Sequence, residues 1–226
     1  MLAELLDAQL LISGVHLVDQ RGIGPGSLNA ARFDAIEAAF DHALEGVDGV
    51  ESETIAGGDV AATLVARARE VDACAIVVGT DLHAHVARDV LRHAPCPVVV
   101  TPGDALLVPE ALVRVGVAYD GSVGSDLAAS AARSIADRAG VGVEFISVDQ
   151  HERVAGELRR AAGRLDLLCC GSHGRDGIAG RLLGSVSSKL VDQPPCPVMV
   201  VPVRSRRDAS APLGVTTAGD ARLQRT

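Results

Sequence analysis

The stretch LLCCGSHGRDGIAGRLLGSVSSKL, residues 167–190, places glycine at 171, 174, 177, 180 and 184. Each interior glycine costs a helix roughly 1 kcal/mol against alanine, so a near-helical spacing does not make this a helix. A loop whose backbone must approach another group closely is the better use, because glycine has no Cβ to hold that group away. The apolar run LDLLCC before it reads as a strand, and GSVSSKLV after it as the opening of a helix. A glycine-rich loop running into a helix N-terminus aims free N–H groups and the positive end of the helix dipole at one spot. Ser185 and Ser187 can add hydroxyl donors, and Arg175 or Arg181 can add charge. That constellation suits the phosphates of a nucleotide. It is neither the Walker loop, GxxxxGK followed by Ser or Thr, nor the dinucleotide fingerprint GxGxxG. GIGPGS at 22–27 also misses that fingerprint; Pro25 removes a donor, and Ser27 reads as a helix N-cap after a flexible connection.

The elements that must position this loop come from an internal repeat. HAPCPVVVTP (93–102) and QPPCPVMVVP (193–202) lie one hundred residues apart, and each closes a unit containing an apolar run that ends in glycine and a hydroxyl: AIVVGT (75–80) and LLCCGS (167–172). Short aliphatic runs bounded by turn residues suit strands buried on both faces of a parallel sheet. Helical patterns lie between them, such as 59–71 and 125–140, the second closed by Gly140 as a C-cap. Strand and helix alternate, which predicts two doubly wound α/β units with parallel sheets. The expected boundaries are 1–103 and 112–203, with a linker at 103–111 and a disordered tail over 204–226. From the strand-ending glycine to the PCP cysteine the first unit has 79 to 96 and the second 171 to 196, so the first lacks the glycine-rich stretch itself.

Composition narrows the function. The 226 residues are 48% apolar but hold no Trp, one Tyr and three Phe, with a formal charge of −8. The last 23 residues carry five Arg against two Asp, so the body is more acidic still. A single-strand nucleic-acid binder offers aromatic platforms in a basic groove, and this chain offers neither. No apolar run reaches the length of a membrane span, and the N-terminus lacks a basic signal-peptide flank. Five cysteines without framework spacing fit a reducing cytoplasm. His83 and His85 lack a third ligand at suitable spacing and read as surface residues, so no metal site is expected of them.

Gly171, Gly174, Gly184 and Ser185 reproduce G-x2-G-x9-G followed by Ser or Thr, the signature of the universal stress protein family. The opening strand VRVGVAYDGS (113–122) and the closing PCPVMVVP resemble that family too. The resemblance covers the second unit well and the first in part. It implies an ATP-binding α/β domain, adenine nucleotide alpha hydrolase-like, with a five-stranded parallel sheet in the order 3-2-1-4-5. By that resemblance Ala118 and Asp120 lie against the adenosine and Val148 holds the adenine through its backbone. Gly171 and Gly174 line the ribose and phosphates, while Gly184, Ser185, Val186 and Ser187 bind phosphate. His173 contacts phosphate or stabilises the loop, and Asp120 contacts the ligand or caps the next helix; from the residues alone both pairs stay open.

Two departures matter. The second unit lacks a strand and helix corresponding to strand three, an edge. The first unit opens with a helix, MLAELLDAQ, and lacks any counterpart of VRVGVAYD, a central strand. It should either close that gap by pairing LLISGVHLV with ACAIVVG or lean on the second unit for stability. The two apolar closing strands should pair antiparallel about a pseudo-two-fold axis, as an intrachain pseudo-dimer; a homo-oligomer stays open. The function expected is a stress-response regulator that binds one ATP with little or no turnover. Asp120 could hold one Mg²⁺, so a slow ATP hydrolase is an alternative, as is a structural or dimerisation module.

Overall fold

The computed structural model describes residues 6–17, 50–80, 84–102, 112–147, 154–172 and 184–203, with Ala3, Asp34, Ala35 and Ala38. Eight strands are seen there: β1 Leu10–Leu17, β2 Val50–Gly57, β3 Ile76–Gly79, β4 Val98–Thr101, β5 Val115–Tyr119, β6 Val143–Ser147, β7 Leu167–Gly171 and β8 Val198–Val201. The helices are α1 Val60–Glu70, α2 Ala84–His93, α3 Val123–Ala139, α4 Val154–Ala162 and α5 Ser185–Asp192. Local chemistry sets their ends. The Asp59 carboxylate caps α1 by accepting from the Ala62 N–H at 2.7 Å. Ser122 caps α3 in the same way, and Gly140 ends it in the left-handed conformation, φ 69°. The expected linker and tail lie outside the described residues.

Six strands form one sheet in the order β3-β4-β8-β7-β5-β6. The second-unit portion, β6-β5-β7-β8, is parallel throughout, which is the 2-1-4-5 part of the expected order; among the described residues no strand stands at the place of its edge strand. At the middle, β4 and β8 run antiparallel, with Val98 opposite Val200, Val99 opposite Met199 and Val100 opposite Val198. Thus the two closing strands, either of which would alone be an apolar edge, satisfy each other.

Both faces of the four inner strands are covered, as aliphatic strands without polar alternation require, while Val77 of β3 and Phe145 of β6 stay exposed at the two edges. On one face, α1, α2, α4 and α5 pack over Val98, Val100, Ala118, Leu168, Cys170, Val198 and Val200. On the other, α3 covers Val99, Val115, Val117, Cys169 and Met199, with Leu6 adding to the layer. An Arg88–Asp192 ion pair at 2.5 Å joins α2 to α5 across the seam. Both partners are well exposed, so it adds little beside the valine core.

The expected pairing of LLISGVHLV with ACAIVVG is not what forms. β1 pairs instead with β2, in parallel over eight residues from Leu10–Val50 to Leu17–Gly57, as a separate two-stranded sheet. The reason is connectivity: β2 feeds α1 directly, and α1 packs on both β1 and β2. Glu53 ties the three together. Its carboxylate accepts from Arg67 of α1 at 2.9 Å and from Ser13 of β1 at 2.7 Å. The hydrogen bond from Arg67 holds the Glu53 carboxyl below its ordinary range. Among the described residues, the outer edges of β1 and β3 have no strand beside them.

If the antiparallel seam unites the molecule, Val98→Ala and Val200→Ala should each destabilise by on the order of 1–3 kcal/mol. Because the two residues face each other, the double variant should depart from additivity by at least about 0.5 kcal/mol. Urea denaturation of the full cycle measures this, and strict additivity would show that the seam does not couple them.

Candidate functional site

The carboxyl ends of β5, β6 and β7 share one edge of the sheet, where open α/β folds receive ligands. β5 ends at Tyr119 and delivers Asp120 to the turn before α3. The Asp120 carboxylate accepts from the Ser122 N–H at 3.0 Å, while Ser122 is the actual N-cap, accepting from Ser125 N at 3.2 Å. Asp120 therefore shapes the turn without capping the helix. Tyr119 donates its hydroxyl to Asp126 at 2.8 Å, and that bond raises the phenol above its ordinary value. Ala118 is 8% exposed, beneath this edge.

β7 ends at Gly171, and the chain re-emerges at Gly184 to start α5. The two ends are laced together. Gly184 N–H donates to the Ser172 carbonyl at 2.8 Å, and the Ser187 hydroxyl donates to the Gly171 carbonyl at 2.8 Å. The Ser172 hydroxyl in turn accepts from Val203 N–H at 3.1 Å, anchoring the chain beyond β8. Residues 173–183, including His173, Gly174 and Arg175, lie outside the described residues, as does Val148 at the end of β6.

The two framing glycines have different reasons to be glycine. A Cβ on Gly171 would sit 2.5 Å from the Gly124 carbonyl carbon, because the first turn of α3 crosses β7 there. Gly171 is thus a packing residue, whatever else it lines. Gly184 is the N-cap of α5 with φ −61° and ψ 157°, extended backbone open to any residue, and it makes no side-chain cap bond. The N–H groups of Ser185, Val186 and Ser187 occupy the first turn, where a helix supplies no acceptor. A helix start of this kind is a place where an anion can be received. Ser187 is buried, its hydroxyl proton already given to Gly171, so a ligand would meet its backbone. Among the described residues no cluster of His, Cys, Asp and Glu could hold a metal ion, and no helix is long and apolar enough to cross a membrane.

Sequence reasoning brought Asp120, Gly171 and Gly184–Ser187 to this edge, and the structure places them there. It did not single out Gly124, which makes room for Gly171; the signal was a small residue, in GSVGS, one step inside the helix.

The universal stress protein family profile matches residues 157–202, which span α4, β7, the loop, α5 and β8. A universal stress protein of Mycobacterium tuberculosis is 31% identical over 162 aligned residues, covering 51% of this chain and 54% of the relative. One from Mycolicibacterium smegmatis is 30% identical over 168, covering 55% and 57%. The chain spans about half the length of these curated relatives. Among solved structures, a universal stress protein from Archaeoglobus fulgidus superposes with a TM-score of 0.63 at 19% identity, over 88% of this chain and 89% of the other. A putative one from Pseudomonas aeruginosa gives 0.55 at 17%, over 87% and 94%. At such identities these two establish the shared α/β fold.

Two measurements check the geometry. Gly171→Ala should destabilise by about 1–3 kcal/mol through the clash with α3. Gly142→Ala, whose new methyl group would have nothing within 4 Å, should stay within about 0.5 kcal/mol. Equal urea midpoints for the two would show that α3 does not cross Gly171. Burial pushes the Cys170 and Cys196 thiols up to about 12 and Cys169 higher still, and only Cys74 is exposed. A thiol reagent at pH 8 should therefore modify one cysteine of the five rapidly. The unfolded chain releases thiol protons near pH 9, where the folded chain keeps them, so stability should be intact below pH 9 and fall as pH rises toward 12. Rapid modification of Cys169 or Cys170 in the native protein would contradict this.

Proposed function

We propose that this chain, whose residues 157–202 match the universal stress protein family profile, is a stress-response regulator of that family that binds one ATP in its second unit, with little or no turnover. The observation that carries the reading is the start of α5. Gly184 is glycine without a backbone conformation that demands it, and it opens three N–H groups with no side chain of its own over them. A residue there with a Cβ would stand where phosphate must approach; glycine leaves the approach clear. ATP would place its phosphates on Gly184, Ser185, Val186 and Ser187, with His173, Gly174 and Arg175 as further candidate binding residues outside the described ones. The ribose and adenosine would lie along Gly171, Ala118 and Asp120, and the backbone of Val148 would hold the adenine. These groups suit the ligand chemically: backbone donors face the anionic end, and aliphatic walls replace aromatic stacking for the base. Mg²⁺ accompanying the phosphates would find its carboxylate in Asp120.

Low turnover follows from what the acids at this edge already do. Asp120 accepts from Ser122 N–H and Asp126 from the Tyr119 hydroxyl, so among the described residues neither is poised as a general base on water. The first unit carries GTDLHAHV where the second has its glycine loop, and so contributes no second site. With all five cysteines as thiols, a reducing cytoplasm is the compartment this reading assigns.

Titration calorimetry with Mg·ATP should give one site per chain, with no phosphate released above background in the same sample. Gly184→Val should weaken binding by at least about a hundredfold, roughly 2.7 kcal/mol, while leaving the urea midpoint in place because the backbone there is unstrained. Two equivalent sites, or wild-type affinity in that variant, would overturn the assignment.

A further inference from the structure

α4 and α5 pack side by side on one face of the sheet, burying Leu158 and Ala162 from the first and Leu190 and Val191 from the second. Where their outer faces meet they leave a cavity of about 280 Å³ that opens to solvent. It is lined by Gly156 and Arg159 of α4 and by Lys189, Asp192 and Gln193 at the end of α5. None of these residues belongs to the nucleotide-binding set. The start of α5 is turned elsewhere, tied to the end of β7 through Ser187 and Gly184.

The charges around this cavity do not balance. Asp192 is the one carboxylate among the described lining residues, and Arg88 of α2, which is not part of the lining, already neutralises it at 2.5 Å. Arg159 donates from Nη1 to the Gln193 side-chain oxygen at 2.8 Å. That acceptor fixes the guanidinium but is neutral, so the charge stays uncompensated. Lys189 is exposed and has no ion pair among the described residues. Two cations therefore border one space, where an anion would relieve their repulsion.

Gly156 is a separate observation. It lies inside α4, where glycine weakens a helix relative to alanine. A Cβ there would meet nothing within 4 Å beyond its own helix, so packing does not require glycine. What glycine supplies at this position is room in the cavity it lines.

We propose that the cavity between α4 and α5 is a binding site for a compact phosphate dianion, either the free ion or the phosphate group of a small monoester. A dianion balances Arg159 and Lys189 together, where a single carboxylate would balance one. The guanidinium offers its remaining N–H groups as a planar fork, and the ammonium adds a mobile point charge. The volume falls just short of the roughly 300–1,000 Å³ of ordinary small-molecule sites, so the ligand is small.

The test is a titration of the full-length chain, followed by the backbone amide NMR signals at about pH 8, where phosphate monoesters are dianionic. Inorganic phosphate is the first probe and glycerol 3-phosphate the second, both at constant ionic strength because exposed charges are screened by salt. Signals at 156–160 and 189–193 should shift saturably, with a dissociation constant on the order of 1 mM, as two charged hydrogen bonds in an open site provide. Arg159→Gln and Lys189→Gln should each weaken binding at least about tenfold, and so should Gly156→Gln, which fills the space. All three positions are exposed, so the urea midpoints should stay in place. Gly184→Val should leave these shifts intact, which separates this site from the nucleotide site. Tighter binding of glycerol 3-phosphate would assign the ester as ligand, and equal affinity the free ion. Shifts that do not saturate, that chloride reproduces, that are confined to 184–187, or that persist undiminished in Arg159→Gln and Lys189→Gln would overturn the proposal.

Discussion

The antiparallel pairing of β4 with β8 is the contact on which the rest of the molecule hangs. Each strand is a run of valines or valine and methionine behind a PCP turn, too apolar to face water on an open edge. Joined, they convert two incomplete sheets into one of six strands and merge the helical layers over it, so that α1 and α2 share a core with α4 and α5. The first half, which has only β3 and β4 in that sheet, could not bury Val98–Val100 without β8. The joint also fixes directions. Because the seam is antiparallel while the strands on each side of it run parallel, β3 ends at the opposite end of the sheet from β5 and β7. The strand-ending glycines of the two units, Gly79 and Gly171, therefore lie at opposite ends of the sheet.

Much of this was legible in the residues because it depends on patterns that few structures satisfy. Aliphatic runs closed by glycine became β3 and β7, the 125–140 pattern became α3 ending at Gly140, though its N-cap is Ser122 and not Asp120, and the repeated PCP strands met as their shared apolarity required. The failure at β1 has a physical cause. LLISGVHL announces a strand, but a strand's partner is chosen by connectivity and packing, which its own residues do not encode. β2, VESETIAG, has few aliphatics to mark it, since its ribbon is half solvated. The site was legible in its frame, Gly171 and Gly184–Ser187, because helix starts have local signals; the reason for Gly171 was not, because it depends on Gly124, nearly fifty residues earlier.

Glycine in a signature loop is easily given a single role, yet here geometry separates two. At Gly171 the backbone of α3 occupies the Cβ position, and substitution must push two main chains apart. At Gly184 the dihedral angles are those of any extended residue, and the neighbouring N–H groups lack helix acceptors. Packing explains the first in full. At the second the dihedral angles make no such demand, and the proposed ligand would use the opening that glycine leaves. The hydrogen bonds from Gly184 to Ser172 and from Ser187 to Gly171 then have a clear consequence: they hold the helix start against the strand end, so the first turn of α5 is set before any ligand arrives.

The burial of cysteines follows from the same architecture. Cys169 and Cys170 point to opposite faces of β7, one under α3 and one under the helices of the other layer, and neither has water to solvate a thiolate. Burial dominates the upward shift of both. Adjacent thiols on an interior strand are thus chemically quiet despite their proximity to the candidate site, behaving as small apolar side chains. Redox chemistry at that strand would first require α3 or α5 to leave the sheet, and the crossing of α3 over Gly171, with no space between the two main chains, is what keeps it in place.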